Sequence, residues 1–239
     1  MRSLGIAVWR LTERLDVDVA GASEGPRFTI DSARRRAFED LIASARSGNG
    51  TLDAAACPYP LHELLTYLVV EHDLLLHGSN DGTLEILEPR LAQDYETKLH
   101  AVVASDDGIW PMFYAVVARD RIDGVFSACT HLGRPPRLRR FYMFAIGGDA
   151  AASTSWTRGT VYVLPRAGFH REWGHEWVSS DAVRPLLRLS VGPEDFPRRD
   201  TVIGLSSPDE FRRVSHHLRI AKRERAARMR GSTLPFVRR

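Results

Sequence analysis

The chain has 239 residues, of which 44% are hydrophobic and 26% charged, a balance typical of a single soluble globular domain. No stretch approaches the roughly 18 apolar residues that span a membrane, and the apolar run near Met1 is too short for a secretion signal, so we expect a cytoplasmic protein. Cys57 and Cys129 give neither a disulfide framework nor metal-ligand spacing. The formal net charge of +3 is unevenly distributed, because residues 211–239 carry +9 and residues 1–210 carry −6.

The N-terminal part, residues 1–72, is predicted to be an arm followed by two helices packed on the core. Asp31 suits an N-cap, and a helix is predicted from there to about Arg46. A second helix is predicted from Pro60 to about Glu71, with leucines at helical spacing.

Short strands and one helix are predicted in the core, residues 73–205. The strands are predicted to begin at about Leu74, Leu99, Phe141, Thr160, Glu176 and Leu186. Large residues recur at helical spacing from Ile109 to Ala118, which predicts a helix with an aromatic face. So few helices between strands do not suit a doubly wound parallel sheet, and we predict an α+β fold with a mixed or antiparallel sheet.

The last part, residues 206–239, is predicted to be a basic C-terminal helix and tail, helical over residues 211–230. A charge run of this kind is usually a solvated face or a flexible tail. It can also neutralise phosphates, so contact between nucleic acid and residues 211–239 stays an alternative.

Four short motifs follow one another between residues 73 and 197, roughly half of the chain. They are His77-Gly78-Ser79 at a strand end, Val102-Val103-Ala104 in the next strand, Tyr114 in the helix and Glu176-Trp177-Val178 at a later strand start. Their order resembles the His-Tyr-Glu branch of the ADP-ribosyltransferase superfamily, which includes the poly-ADP-ribose polymerases and diphtheria toxin.

The resemblance implies an ADP-ribosyltransferase-like core, NAD as the substrate and no metal. It implies that Glu176 is catalytic and that the nucleotide contacts His77, Gly78, Ser79 and Tyr114. We therefore predict that His77, Ser79, Tyr114 and Glu176 line one cleft. Arg90 is a further candidate contact, because a guanidinium group suits the geometry of a phosphate.

The expected chemistry explains these residue types. Cleavage of the nicotinamide–ribose bond develops positive charge on the ribose, which a fixed carboxylate such as Glu176 stabilises. The backbone at Gly78 can approach a flat carboxamide closely. Ser79 and His77 can hydrogen-bond the carboxamide and a ribose hydroxyl, and the ring of Tyr114 offers a stacking face for nicotinamide.

Structural roles compete with each of these assignments. A histidine at a strand end is commonly a hydrogen-bonded structural residue, which is the competing interpretation of His77. Tyr114 shares a helical face with Trp110 and can be a core residue. Arg90 can be a surface ion-pair partner, and Glu176 can be a solvated residue at a strand start.

A second resemblance connects the chain to a family of bacterial proteins and supports the placement of elements without implying an activity. It is carried by the stretches 76–81, 88–90, 107–113, 159–165 and 194–197.

The leading functional hypothesis is NAD-dependent ADP-ribosyl transfer, or NAD glycohydrolysis, with a protein, a nucleic acid or a small molecule as the acceptor. Gly174 stands where arginine-modifying transferases carry an acid or amide, which argues against an arginine acceptor. The alternatives are a non-catalytic nucleotide-binding module of the same fold, a nucleic-acid-directed ADP-ribosyltransferase, and a protein resembling the RNA 2′-phosphotransferases. His170, Glu172 and His175 are metal-ligand residue types without a fourth partner, and we expect no metal there.

Overall fold

Two β-sheets, three α-helices and three short 3₁₀ helices make up the described part of the chain, which in this computed structural model is residues 23–92, 99–132 and 139–205. None of the helices in these ranges is long and apolar enough to cross a membrane. The predicted basic helix over residues 211–230 lies outside the described residues, as do residues 1–22 of the arm.

In chain order the elements are β1 (Ser23–Glu24), α1 (Ser32–Ser47), β2 (Thr51–Leu52), α2 (Leu61–Glu71), β3 (Leu74–Ser79), β4 (Arg90–Ala92), β5 (Leu99–Ser105), α3 (Trp110–Val116), β6 (Val125–Leu132), β7 (Arg139–Gly147), β8 (Gly159–Pro165), β9 (His170–Trp173), β10 (Glu176–Ser179), β11 (Leu187–Val191) and β12 (Ile203–Leu205). The predicted α+β class is confirmed, and so are all three predicted helices and the six predicted strands, to within a few residues. Strands β1, β2, β4, β6, β9 and β12 were not predicted.

The larger sheet has eight strands in the order β2-β11-β8-β3-β5-β10-β9, with β4 also paired to β5. Its ladders are antiparallel except for the parallel pair of β2 and β11. In the smaller sheet β7 pairs with β6 and β1 in antiparallel and with β12 in parallel. The combination is a mixed, mainly antiparallel α+β fold.

The two faces of the larger sheet bury different clusters, as the alternation of side chains along a strand requires. Leu74, Leu76, Val161 and Val163 pack with the three helices in the main core. The neighbouring residues on the same strands point to the opposite face, where they belong to a smaller cluster. That cluster contains Leu75, Tyr162 and Leu164 together with Val102, Ala104, Leu87 and Val183.

Buried Asp107 connects the larger sheet, α3 and the smaller sheet. Its Oδ1 accepts hydrogen bonds from the backbone N–H groups of Ile109 and Trp110, both at 2.8 Å, which caps the start of α3. Its Oδ2 accepts from Arg140 at 2.6 Å and from the Tyr142 hydroxyl at 2.7 Å, both on β7. Burial, together with the Asp107 charge, raises the pKa of Tyr142 well above its usual value, so the phenol stays a donor.

Candidate functional site

A cavity of about 430 Å³ lies where β3 and β5 separate. β3 pairs with β8 along its whole length, from Leu74 to Ser79, but it pairs with β5 only through Leu76 and Ser105. Beyond that pair both strands line the cavity, with residues 76–79 on one side and residues 101–105 on the other. The cavity therefore occupies the gap between two neighbouring strands.

The structure brings all the predicted site residues to this one cavity. Its lining includes His77, Gly78, Ser79, Arg90, Tyr114 and Glu176. Up to 99 positions separate them in the sequence, and the fold collects them because β3, β4 and β10 are all neighbours of β5 or of the helix beside it.

The imidazole of His77 bridges the gap between the strands. Its Nδ1 lies 2.7 Å from the carbonyl oxygen of Val103 on β5. Because a carbonyl oxygen can only accept, Nδ1 carries the hydrogen, and Nε2 is left as an acceptor in the neutral ring. Burial lowers the pKa of His77 to about 4, and the positive charges of Arg119 and Arg90 act in the same direction. At neutral pH this group is thus an uncharged acceptor.

Three polar side chains from neighbouring strands lie beside every second residue of β5. Glu176 is paired with Ser105, His77 bonds to Val103, and Arg90 is paired with Ala101. The two ends of this row are four residues apart, about 13 Å of extended strand. A carboxylate, an imidazole and a guanidinium group are thus available in sequence to an elongated ligand.

Glu176 and His77 approach the cavity from different sides. Glu176 and Leu76 are both paired with Ser105, so these three side chains lie on one face of the sheet. Side chains alternate along a strand, and the next residue of β3, His77, therefore has its Cβ on the opposite face. Both side chains nevertheless line the cavity, because it fills a gap between strands and is not confined to one face.

The turn before Glu176 is anchored to the end of β5 through Asp106. The backbone N–H of Asp106 donates to the His175 carbonyl at 3.2 Å, and His175 Nδ1 lies 2.6 Å from Asp106 Oδ1. Arg171 donates to the other carboxylate oxygen at 3.0 Å. Burial alone would raise the pKa of Asp106, but the hydrogen bond from His175 and the positive charge of Arg171 outweigh this effect and lower the pKa to about 2. Asp106 is therefore a fixed anion beside half-buried Glu176.

The loop considered for a metal has a different arrangement. His175 turns toward Asp106, while His170 and Glu172 lie 3.9 Å apart on β9. In the described ranges no three His, Cys, Asp or Glu side chains are grouped in a way that could hold a metal ion.

Helix α3 forms the aromatic wall of the cavity. The indole N–H of Trp110 donates to the Ser127 hydroxyl at 2.5 Å, and the Tyr114 hydroxyl lies 2.8 Å from the same oxygen. Tyr114 also packs edge-on against Phe113, with ring centroids 5.5 Å apart. Tyr114 therefore packs within the protein and also lines the cavity. Ser127 was missed from the sequence because its strand, β6, was missed.

The absence of a side chain at Gly78 allows helix α3, and not only a ligand, to approach β3 closely. A side chain at Gly78 would place its Cβ 1.9 Å from the Pro111 carbonyl oxygen. At Gly159, on the neighbouring strand β8, a Cβ would lie 2.0 Å from the Ala115 carbonyl oxygen. The absence of side chains at both positions lets α3 pack directly on the two strands. This adds a structural reason for glycine at position 78 to the ligand-based one.

Ser79 and Asn80 also have roles within the protein. The Ser79 hydroxyl oxygen accepts a hydrogen bond from the Asp81 backbone N–H at 3.1 Å. The Asn80 amide donates to the Ala115 carbonyl at the end of α3 at 2.9 Å and accepts from the Arg119 backbone N–H at 3.3 Å. Arg119, a cavity-lining residue absent from the sequence predictions, is thereby held next to the strand that carries His77.

No family model, curated protein or solved structure matches the chain. The functional proposal therefore depends on the chemistry of the cavity and on the motifs around it.

Proposed function

We propose that this cavity binds NAD and that the protein cleaves the nicotinamide–ribose bond, transferring ADP-ribose to an acceptor or to water. The observation that carries the proposal is the row of carboxylate, imidazole and guanidinium along β5, opposite the aromatic wall of α3. An NAD molecule offers matching groups, namely a flat aromatic ring, ribose hydroxyls and a diphosphate.

The proposal includes the ADP-ribosyltransferase fold of the His-Tyr-Glu branch. Two features support it. The motifs that resemble that branch surround one cavity, and the strand that carries His77-Gly78-Ser79 separates from its neighbour at that cavity. Nicotinamide then lies beside Tyr114 and Ser79, and the ribose to which it is attached lies beside Glu176.

The reaction breaks the bond between ribose C1′ and the pyridinium nitrogen. The bonding electron pair leaves with the nitrogen, so nicotinamide departs as a neutral molecule and positive charge develops on the ribose. The Glu176 carboxylate hydrogen-bonds the ribose hydroxyls and stabilises that charge. The oxygen or nitrogen of the acceptor, or of water, bonds to C1′ and releases its proton to the solvent.

The remaining residues bind and orient the nucleotide. Nε2 of neutral His77 accepts a hydrogen bond from a ribose hydroxyl, and Arg90 faces the diphosphate. Asp106 and His175 fix the turn that precedes Glu176, so the carboxylate is held in place before the substrate binds.

Incubation of the purified protein with NAD, followed by chromatographic measurement of free nicotinamide, tests the proposal. We expect protein-dependent release of nicotinamide together with ADP-ribose or an ADP-ribosylated product. Binding of NAD without release would support a non-catalytic nucleotide-binding module. A protein that neither binds nor cleaves NAD would overturn the proposal.

A further inference from the structure

Two guanidinium groups line the β4 end of the cavity, those of Arg90 and Arg119. Over the ranges that the structure describes, no carboxylate oxygen lies within 4.0 Å of a nitrogen of either group. Two nearby acids have other partners. Asp81 accepts from the backbone N–H and the hydroxyl of Thr83 at 2.8 and 2.6 Å, and Asp120 lies 3.6 Å from Arg121.

The segment that carries Arg119 is fixed although the side chain is exposed. The Arg119 backbone N–H is bonded to Asn80, and the N–H of Ala118 donates to the Ser155 carbonyl at 3.0 Å. Val117 forms a β-bridge with Trp156. Arg90 is held in turn by the pairing of β4 with β5. Both guanidinium groups therefore extend from ordered backbone toward the same space.

Electrostatics supports a ligand of negative charge at this end. Partial desolvation at the cavity wall lowers the pKa of Arg119, and repulsion from Arg90 lowers it further. Both arginines also lower the pKa of His77. An anion bound between two neighbouring cations that lack a counter-ion reduces the repulsion between them. Glu88 lines the cavity as well, and Glu176 lies at its opposite end.

We infer that Arg90 and Arg119 form an anion subsite for a diphosphate, so that the cavity selects a nucleoside diphosphate or a dinucleotide over an uncharged nucleoside. Only the identification of the bound nucleotide as NAD rests on the proposed function; the diphosphate subsite itself does not. Paired guanidinium groups suit phosphate oxygens because each presents a planar fork of donors. Arg119 is thus a specificity-determining residue that contacts no reacting bond.

Isothermal titration of the full chain with ADP and with adenosine tests the subsite without any turnover. We expect Arg119→Ala to weaken ADP binding at least about tenfold, a loss of about 1.4 kcal/mol, and to leave adenosine binding unchanged. Arg119→Lys keeps the positive charge but loses the planar fork of donors, so its ADP affinity should lie between those of the wild type and Arg119→Ala. The matched control is Arg121→Ala, which removes a neighbouring exposed arginine outside the cavity and should bind ADP like the wild type.

A second readout shows whether the Arg119 charge reaches the cavity. Because this charge lowers the pKa of His77, NMR titration should give a higher pKa for His77 in Arg119→Ala than in the wild type or in Arg121→Ala. Equal ADP affinity in wild type and Arg119→Ala, an unchanged His77 pKa, or adenosine binding as tight as ADP would each overturn the subsite.

The outcomes separate the subsite from the proposed reaction. Arg119-dependent binding of ADP by a protein that releases no nicotinamide from NAD would keep the subsite and remove the function. Release of nicotinamide at low NAD concentration that is the same in wild type and Arg119→Ala would keep the function and remove the subsite.

Discussion

Substitution of Glu176 by glutamine separates catalysis from binding in the proposed reaction. A carboxamide keeps the size of the side chain and part of its hydrogen bonding but offers no negative charge to the developing cation. Loss of an interaction made mainly in the transition state lowers turnover and leaves ground-state affinity nearly intact. We expect nicotinamide release to fall on the order of 100-fold or more, by comparison with the loss of one oxyanion-hole donor. Calorimetry should show nearly unchanged NAD affinity.

The matched control for Glu176 is Glu88→Gln, which removes another carboxylate from the cavity lining. Turnover in this variant should stay close to that of the wild type. Undiminished nicotinamide release by Glu176→Gln would show that another group stabilises the transition state.

His77 makes the stability of the protein depend on pH in a defined window. Its pKa in the fold is about 4, below the ordinary 6.5 of histidine, so the unfolded chain binds more protons between these two values. The free energy of unfolding should therefore decrease as the pH falls from 6.5 to 4. Asp106, whose pKa is lowered to about 2, contributes stability that is lost only at lower pH, below about 4.

Urea unfolding at several pH values checks this contribution of His77. His62 also has a pKa lowered by burial and adds to the slope, so the informative quantity is the difference between wild type and His77→Asn. Asparagine keeps a donor for the Val103 carbonyl and cannot take up a proton in this range. A variant with the same slope as the wild type would contradict a neutral, half-buried His77.

Among the elements, the contact of α3 with β3 gives a test of packing through Gly78. An added methyl group would meet the Pro111 backbone oxygen at 1.9 Å, and neither backbone can move without disturbing the sheet. We expect Gly78→Ala to lower the free energy of unfolding by roughly 3 kcal/mol, at the upper end for overpacking. Denaturant unfolding measures this loss.

Gly82→Ala is the matched control for Gly78. A Cβ at Gly82 would lie 3.1 Å from the Thr160 hydroxyl, which belongs to a side chain that can turn away. Its cost should be clearly smaller. Equal stability of Gly78→Ala and the wild type would mean that α3 does not pack on β3 as described.

Local sequence signals predicted the helices and most of the central strands. Asp31 caps α1 through the Arg34 N–H at 2.8 Å, and such a cap can be recognised from neighbouring residues alone. β6 was missed because its half-buried residues mix apolar and polar types without clear alternation. β9 was missed because a four-residue strand beside a turn has too few positions to show a period.

The candidate site was predictable only where a short motif marked it. His77 and Glu176 belong to such motifs, and the fold places both at one cavity. Asp106 and His175 could not be connected from the sequence, because their bond joins positions 69 residues apart. Arg119 likewise becomes a cavity residue through contacts with distant parts of the chain, among them the bond of its backbone to Asn80, 39 positions away.

At the scale of the whole molecule, a mildly acidic body is joined to a strongly basic C-terminal segment. Residues 1–210 carry a net charge of −6 and residues 211–239 carry +9. If this segment contacts nucleic acid, the affinity should fall steeply between about 50 and 200 mM salt, because each neutralised phosphate releases counterions. Truncation before Pro208 should abolish the binding. Fluorescence polarisation with a labelled oligonucleotide measures both effects, and binding that survives truncation or ignores salt would rule out the tail as the contact.

The most direct test of the central claim is to map where NAD binds on the protein. In two-dimensional NMR spectra of the labelled chain, we expect NAD to shift the backbone signals of residues 76–79, 101–105, 110–114 and 176. The edge of the larger sheet formed by β2 and β11 should show no change. Shifts confined to residues outside the cavity, or no shifts at millimolar NAD, would contradict the assignment of the gap between β3 and β5 as the nucleotide site.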